Sequence, residues 1–371
     1  MTQPIRGKTV YIFGAGASVH AGAPLLNNFL SVSQGLFQGT EHLTYIESFK
    51  KLFEWITELK RSTASVTINY SNLEEIFSLA SMTGEINTGE WEDLYEHLLN
   101  VIFETLDKTI AFKLIESNAY NKIYGDAVTY KFVEGLIKRN KKRMELCREN
   151  TFEKDSVITF NYDLLLDLAF RFQGIGADYC LDAAPGEGYK LLKLHGSMNW
   201  AIHKNCAEKS GIHVASLDDL LSRRSTSGGV QRLGAFDSMR KAPCERCNNS
   251  GLTPVFVPPT WTKSPSLAGL SNVWSSAAKE IESAEQIVVV GYSLPPTDTF
   301  FQYLLALGLR NNTGLSRVII VNPDTSAEYR KRFQNIFSQR IKVQSMSEAF
   351  GSAITFENFV NAKEEYLSRY V

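Results

Sequence analysis

The sequence predicts an α/β fold with a Rossmann-like parallel sheet that carries helices on both faces. Short, mainly apolar runs that favour strands recur with little polar alternation, as in strands that are covered on both faces. Segments with helical spacing separate these runs, which is typical of βαβ units. The five runs are residues 10–13, 156–160, 189–194, 287–291 and 317–321.

Two insertions are expected to interrupt this core, in a chain that otherwise forms a single domain over residues 1–371. Residues 27–150 are dominated by helical spacing, so we predict a helical insertion or subdomain after the first βα unit. Residues 200–255 contain three of the five cysteines and predict a small cysteine-containing insertion. Residues 256–371 are expected to return to the core and to end in a C-terminal helix.

The composition is that of an ordinary globular protein, with 44% hydrophobic and 21% charged residues. The 39 basic and 40 acidic residues give a net charge of −1, so nucleic-acid binding by this chain alone is not expected. No apolar run is long enough to cross a membrane, and the start of the chain lacks the apolar stretch of a signal peptide. We therefore expect a cytoplasmic protein whose cysteines are reduced thiols or metal ligands.

A loop of very small side chains follows the first strand. Such a loop lets backbone N–H groups approach a phosphate closely, although close packing is the alternative explanation. Val19 occupies the third glycine position of the dinucleotide fingerprint, and no Gly-Lys-Ser/Thr follows, so the loop is not a Walker loop. A phosphate here would be held by backbone amides and a helix dipole, without a lysine. The loop consists of Gly14, Ala15, Gly16, Ala17 and Ser18.

Polar side chains follow two further strands, where an α/β sheet binds its ligands. Asn161 and Asp163 come after the second run, and an amide beside a carboxylate suits sugar hydroxyls. Capping of the following helix is the alternative for this pair. His195 ends the third run and precedes a glycine, and histidine can accept a proton near neutral pH.

The last two strands end in similar groups. Gly291 and Ser293 lie in a loop that two prolines stiffen. Asn322 and Asp324 follow the final run, in a pattern that often grips a ribose. All five strand ends are thus candidates for one site at a single edge of the sheet.

Together and in this order, these motifs resemble the sirtuin family. The resemblance implies that the loop 14–18 cradles the diphosphate of NAD+, that Asn161 binds the NAD ribose, and that His195 is the catalytic histidine. It also implies a nucleotide-binding role for four further residues. These are Asp163, Gly291, Ser293 and Asn322.

Five longer sequence segments resemble one branch of the family, the bacterial sirtuin-like proteins of antiphage defence. "GAGAS", "TFNYDLLLD", "KLHGSMNW", "PVFVPPTWTKS" and "GYSLPPTD" carry this likeness. Sirtuin deacylases carry G-I-P-x-F-R after the first loop, whereas this chain reads "AGAPLLNNF" and keeps only Pro24. The likeness implies an NAD+ glycohydrolase that depletes NAD+ in abortive infection. It also implies a homo-oligomer that is activated by assembly or by a partner such as a HerA-like ATPase.

Three alternatives remain open from the sequence. An NAD-dependent protein deacylase needs an acyl-lysine groove and the region that is missing here. A non-catalytic module that senses NAD or ADP-ribose would need neither Asn161 nor His195. A subunit of a nuclease complex is disfavoured by the near-zero net charge and by the lack of an obvious metal-carboxylate cluster.

The second insertion carries a candidate zinc site. Cys244 and Cys247 form a C-x-x-C pair, and His203 and Cys206 form an irregular upstream pair. Sirtuin deacylases hold a structural zinc ion at this place in the chain, between two C-x-x-C pairs. The spacing here permits a Cys₃His site with a structural role.

Overall fold

The structure is a computed structural model that describes most of the chain. The described residues are 7–39, 42–61, 68–86, 91, 93–115, 123–146, 152–182, 186–203, 211–222, 225–227, 230–244, 247–249, 251–257, 268–295 and 298–361.

Fourteen strands are formed by these residues. They are β1 (Thr9–Phe13), β2 (Phe112–Ile115), β3 (Ile123–Gly125), β4 (Ser156–Thr159), β5 (Ala177–Asp178), β6 (Tyr189–Lys193), β7 (Gly196–His203), β8 (His213–Val214), β9 (Ser225–Ser227), β10 (Val230–Arg232), β11 (Leu252–Phe256), β12 (Gln286–Val290), β13 (Arg317–Val321) and β14 (Lys342–Ser345).

Thirteen α-helices are formed by the same described residues. They are α1 (Phe29–Gln38), α2 (Ile46–Arg61), α3 (Leu73–Glu85), α4 (Leu94–Thr109), α5 (Ala127–Leu146), α6 (Leu165–Phe172), α7 (Leu217–Ser222), α8 (Ala235–Lys241), α9 (Ser271–Glu282), α10 (Thr299–Leu309), α11 (Ala327–Gln334), α12 (Met346–Phe350) and α13 (Phe356–Asn361).

A seven-stranded parallel sheet, in the order β14-β13-β12-β1-β4-β6-β5, is the centre of the first of two compact units. This unit comprises residues 1–20, 112–197 and 268–371. The order reverses at β1, which pairs with β4 on one side and with β12 on the other. The space beside such a reversal is where α/β sheets bind ligands.

Helices cover both faces of this sheet, which confirms the predicted fold class. On one face, Phe13 of β1 meets Phe132 of α5 and Phe356 of α13 at ring-centroid distances of 5.1 and 5.3 Å. Val10 and Ile12 alternate to the opposite face, on which α9 contacts β6 and packs against α10. The continuous apolar runs of these strands follow from burial on both faces.

The sequence located five of the seven parallel strands to within one residue at each end. It missed β5, which has only two residues, and β14, whose sequence KVQS is not an apolar run. Both lie at the edges of the sheet, where burial on two faces is not required and the hydrophobic signal is weak.

The second compact unit comprises residues 21–111 and 198–267, so parts of both predicted insertions fold together. Helices α1 to α4 pack on one another, and α8 packs on α4 and β11. Phe103 of α4 stacks on Phe236 of α8 at 4.7 Å. Helix α5 falls within the segment 27–150, but it packs on α6 and α13 in the first unit.

Candidate functional site

The loop after β1 is held tightly against the loop after β12. Gly14 donates its N–H to the carbonyl of Val290 at 2.9 Å, and Gly16 donates to that of Gly291 at 2.8 Å. Gly291 has a φ of +61°, and a Cβ there would lie 2.2 Å from the nitrogen of Ala17. The glycines therefore permit two backbones to pass at a distance that no side chain would allow.

The same hydrogen bonds change the expected phosphate site. Gly14, Gly16, Ala17 and Ser18 all donate their N–H groups to backbone carbonyls. Among the described residues, no backbone carbonyl accepts from Ala15, so only this amide of the loop is left for a ligand. The expected row of free amides is thus wrong for this conformation.

The expectation of a helix dipole behind the loop is also wrong. The loop continues into two 3₁₀ turns, Ala15–Ala17 and Val19–Ala21, instead of an α-helix. A turn of three residues has too few aligned peptides to build a macrodipole. A ligand at this loop would be recognised by close approach and by side chains.

Asn161 and Asp163 come together with Ser18 in one hydrogen-bonded cluster. The Nδ2 group of Asn161 donates to the carbonyl of Gly14 and to the hydroxyl of Ser18, both at 3.0 Å. Ser18 in turn donates to Oδ2 of Asp163 at 2.7 Å. Since both hydrogens of Nδ2 are committed, Oδ1 of Asn161 is the atom that this amide offers to a ligand.

Asp163 belongs to the same cluster, and both of its carboxylate oxygens accept hydrogen bonds from the protein. The side chain is buried, and its second oxygen accepts the backbone N–H of Leu165 at the start of α6. Burial raises the pKa of this carboxyl, while the Lys193 ammonium and the Ser18 hydroxyl act to lower it. In this structure Asp163 therefore orients Ser18, and its nucleotide-binding role stays a prediction.

His195 lies at the end of β6, next to the strand that carries Asn161. The residue is 7% exposed, and its ring meets Phe160 edge-to-face at 5.0 Å and stacks on Tyr162 at 6.0 Å with 28° between the planes. The backbone beside it is fixed, because Leu194 donates to the carbonyl of Thr159. His195 thus packs against the two aromatic neighbours of Asn161.

The loops after β12 and β13 complete this edge of the sheet. Tyr292 stacks on Phe160 at 4.8 Å, and Tyr329 donates its hydroxyl to the carbonyl of Tyr292 at 2.7 Å. Ser293, the next residue, is exposed. Asn322 is half-buried, and its Oδ1 accepts the N–H of Asp324 in a local turn. Gly291 therefore touches the first loop directly, whereas Ser293 and Asn322 lie further along the loops after β12 and β13.

Several side chains of this edge were missed from the sequence. Lys193 is fully buried and donates to the carbonyl of Asp163 at 2.6 Å and to Asp167 at 2.9 Å. Trp274 of α9 donates its indole N–H to the carbonyl of Leu194. A lysine at the end of a two-sided buried strand was the available signal, because such a lysine must have a partner.

The cysteine-containing segment forms a separate cluster in the second unit. Ligand atoms of His203, Cys244 and Cys247 lie within 4.8 Å of one another, with 3.5 Å between Nδ1 of His203 and Sγ of Cys247. His213, which the sequence did not single out, has Nε2 3.7 Å from Sγ of Cys244. Cys206 lies outside the described residues.

The donor set of this cluster fits zinc, and the His203–Cys247 and His213–Cys244 pairs have the spacing of zinc ligands. Zinc bonds of about 2.3 Å to sulfur and 2.0 Å to nitrogen place tetrahedral ligand atoms about 3.5 to 3.8 Å apart. Asn248, which follows Cys247, has a φ of +57° and donates its N–H to the carbonyl of Cys244, which holds the two cysteines close together.

Within the described part of the chain, no helix is long and apolar enough to cross a membrane.

Solved structures of Sir2 proteins are similar to this chain over most of its length. One is Sir2 with an inhibitor, 2′-O-acetyl-ADP-ribose and a deacetylated p53 peptide, at 14% identity and a TM-score of 0.43 over 97% of this chain and 94% of that one. A second is a Sir2–p53 peptide–NAD+ complex, at 15% identity and a TM-score of 0.43 over 97% and 93%.

No protein-family model matches the chain, and no curated protein sequence matches it. At the identities and TM-scores of the structural matches, the likeness carries no conclusion about activity. A proposal about activity therefore rests on the side chains at the carboxyl edge of the sheet.

Proposed function

We propose that this protein is an NAD+ glycohydrolase that acts in bacterial antiphage defence by depleting NAD+. One observation carries the proposal: the Asn161 amide is fixed against the loop 14–18 with its oxygen available, next to the strand end that bears His195. This arrangement lies beside β1, where the strand order of the sheet reverses.

Hydrolysis breaks the bond between the ribose C1′ and nicotinamide and adds the elements of water, giving ADP-ribose, nicotinamide and a proton. Oδ1 of Asn161 would accept a hydrogen bond from a ribose hydroxyl or from the attacking water and so orient it. His195 would take the proton that the hydroxyl or water releases. Ala15, Gly291, Ser293 and Asn322 would hold the rest of the dinucleotide.

A protein deacylase would use the same NAD+ chemistry with an acylated lysine as the attacking group. The sequence "AGAPLLNNF" lacks the arginine region of the deacylases, which favours water as the nucleophile. Incubation with NAD+ in the presence and absence of an acetylated peptide separates the two activities. NAD+ loss without peptide supports the hydrolase, whereas strictly peptide-dependent loss would replace it by the deacylase.

Substitution of the two central residues tests the site itself. We expect Asn161→Ala and His195→Ala each to lower NAD+ turnover by about 100-fold or more, since a positioned proton-transfer group contributes about 10²–10⁴-fold. The matched controls are Asn272→Ala and His42→Ala, two exposed positions, which should retain wild-type turnover. Full turnover by either site variant would remove that residue from the proposal.

Such an activity has to be silent until infection, so we include a homo-oligomer and a partner such as a HerA-like ATPase in the proposal. Native mass measurement of the protein, alone and with the product of its neighbouring gene, shows whether it assembles. NAD+ turnover should rise in the assembled state. A monomer with full activity would contradict regulation by assembly.

We also propose a structural zinc ion bound by His203, Cys244 and Cys247. The sequence names Cys206 as the fourth ligand, and the geometry offers His213. Zinc would close the cysteine-containing segment and take no part in the reaction. Purified protein should contain stoichiometric zinc that Cys244→Ser removes, and comparison of Cys206→Ser with His213→Ala identifies the fourth ligand.

A further inference from the structure

Lys193 is a fully buried lysine at the carboxyl edge of the parallel sheet. Its ammonium donates to the backbone carbonyl of Asp163 at 2.6 Å and to Oδ2 of Asp167 at 2.9 Å. Tyr179 donates to the other oxygen of Asp167 at 2.7 Å. Burying an ammonium group costs free energy, and here the Asp163 carbonyl and the Asp167 carboxylate offset that cost.

Two hydrogen bonds connect Asp163, the neighbour of Lys193, to Asn161. Asp163 Oδ2 accepts the hydroxyl hydrogen of Ser18 at 2.7 Å, and the Ser18 oxygen accepts Nδ2 of Asn161 at 3.0 Å. A serine hydroxyl has one hydrogen, so its donation to Asp163 leaves lone pairs that face Asn161. The amide must then turn its NH₂ group inward and its oxygen outward.

We propose that Lys193 is a positioning residue for Asn161. Its ammonium anchors the backbone carbonyl of Asp163 and places a positive charge near the carboxylate that accepts from Ser18, and this fixes the face that the Asn161 amide presents to a ligand. The inference deepens the proposed function and rests on it, because the outward oxygen is the atom assigned to the ribose hydroxyl or water.

The electrostatics of the cluster agree with this role. Burial raises the pKa of Asp163, and Lys193 is the largest influence that opposes the rise. Asp167, from α6, raises it further. Without the ammonium, Asp163 would bind a proton more readily and donate to Ser18. The Ser18 hydrogen would then turn toward Asn161 and compete with its NH₂ group.

The test uses variants that separate position from stability. Lys193→Met alone leaves two buried carboxylates without a cation, so Lys193→Met/Asp167→Asn is paired with it to restore a neutral core. Asp167→Asn and Tyr179→Phe are the matched controls, because they perturb the same buried cluster but leave Lys193 on Asp163.

We expect the double variant to lower kcat for NAD+ by about 10- to 100-fold with KM changed by less than about 3-fold, the range found when a hydrogen-bond partner that orients a metal ligand is removed. The two controls should stay within about 3-fold of wild type. Unchanged kcat in a folded double variant would overturn the proposal. Equal losses in the controls would reduce Lys193 to a structural role.

A second readout does not depend on turnover. The NMR signal of the Asn161 side-chain NH₂ group, assigned by its loss in Asn161→Ala, should shift in the double variant and keep its position in the controls. If the wild-type protein fails to hydrolyse NAD+, the proposed function fails while this measurement still tests Lys193. If NAD+ is hydrolysed and the signal is unmoved by loss of Lys193, the positioning role alone fails.

Discussion

The two edges of the parallel sheet pair their buried charges in opposite ratios. At the amino edge, the single carboxylate of Asp155 accepts from two guanidinium groups, Arg139 at 2.8 Å and Arg143 at 2.5 Å. At the carboxyl edge, the ammonium of Lys193 donates to the backbone carbonyl of Asp163 and to the carboxylate of Asp167. The first cluster therefore has two cations for one carboxylate, and the second has one cation near two carboxylates.

The two edges have different roles. Asp155 also accepts the N–H of Thr9, so it joins α5, β1 and β4 through charged partners and fastens the sheet. At the carboxyl edge, Asp163 accepts from the neutral Ser18 hydroxyl, which in turn accepts from the neutral Asn161 amide. A carboxylate paired with two cations, as Asp155 is, is characteristic of a scaffold, whereas carboxylates that outnumber their cation are characteristic of functional sites.

The largest expected effect comes from breaking the amino edge. Asp155→Asn leaves two largely buried guanidinium groups without a carboxylate and should lower the free energy of unfolding by about 3–5 kcal/mol. Urea titration measures this loss. Lys138→Gln, at a lysine side chain that is 69% exposed in its pair with Glu134, is the control and should cost at most about 0.5 kcal/mol. Comparable losses in both variants would end the distinction between scaffold and surface pairs.

A second experiment changes the carboxyl edge without changing its charge, and tests the close approach of the loops after β1 and β12. Gly291→Ala places a Cβ 2.2 Å from the nitrogen of Ala17, at a φ of +61°. The control, Gly174→Ala, has a φ of +69° but no atom within 4 Å of the added Cβ. Gly174→Ala should cost about 1–2 kcal/mol from backbone conformation alone, and Gly291→Ala should cost more.

Activity should separate the two glycine variants further. The clash at Gly291 forces apart the loops after β1 and β12, so NAD+ turnover per folded molecule should fall. Gly174 lies in the turn after α6, and its variant should keep wild-type turnover. Equal turnover in both would show that the close approach of the two loops serves packing only.

The sequence predicted most of the sheet because its signal is local. The runs at β1, β4, β12 and β13 are apolar and rich in β-branched residues, the run at β6 is rich in leucine, and each run ends in or is followed by glycine, asparagine or histidine. Neighbouring strands then bring Asn161 and His195 to the same edge without further information. The contribution of Ser18 was also accessible, as part of the loop that follows β1.

The remaining features depend on distant contacts that local patterns do not encode. The sequence treats the loop 14–18 as a row of free amides, but the carbonyls of Val290 and Gly291 use two of them. Lys193 looks like the polar end of a strand until Asp163 and Asp167 surround it. His213 joins the cysteine cluster from a strand of two residues that has no local signal of its own.

The smallest effect expected is a pH dependence that originates at Asp163. Burial raises the pKa of this carboxyl in the folded protein above its unfolded value, so the folded state binds the proton more tightly. The stability that this proton contributes is complete below the unfolded pKa, about 4. It is lost as the pH rises through the folded-state pKa.

Asp163→Asn has no proton to lose at this position. As the pH rises above about 4, the free energy of unfolding of wild type should therefore fall relative to that of the variant. Urea titrations of both proteins across this range measure the trend. Tyr179→Phe is the control, because it alters the neighbouring Asp167 but keeps the Asp163 carboxyl, and should parallel wild type. A difference between Asp163→Asn and wild type that is flat with pH would mean that Asp163 is as fully compensated as a scaffold carboxylate, and the contrast between the two edges would not extend to their protons.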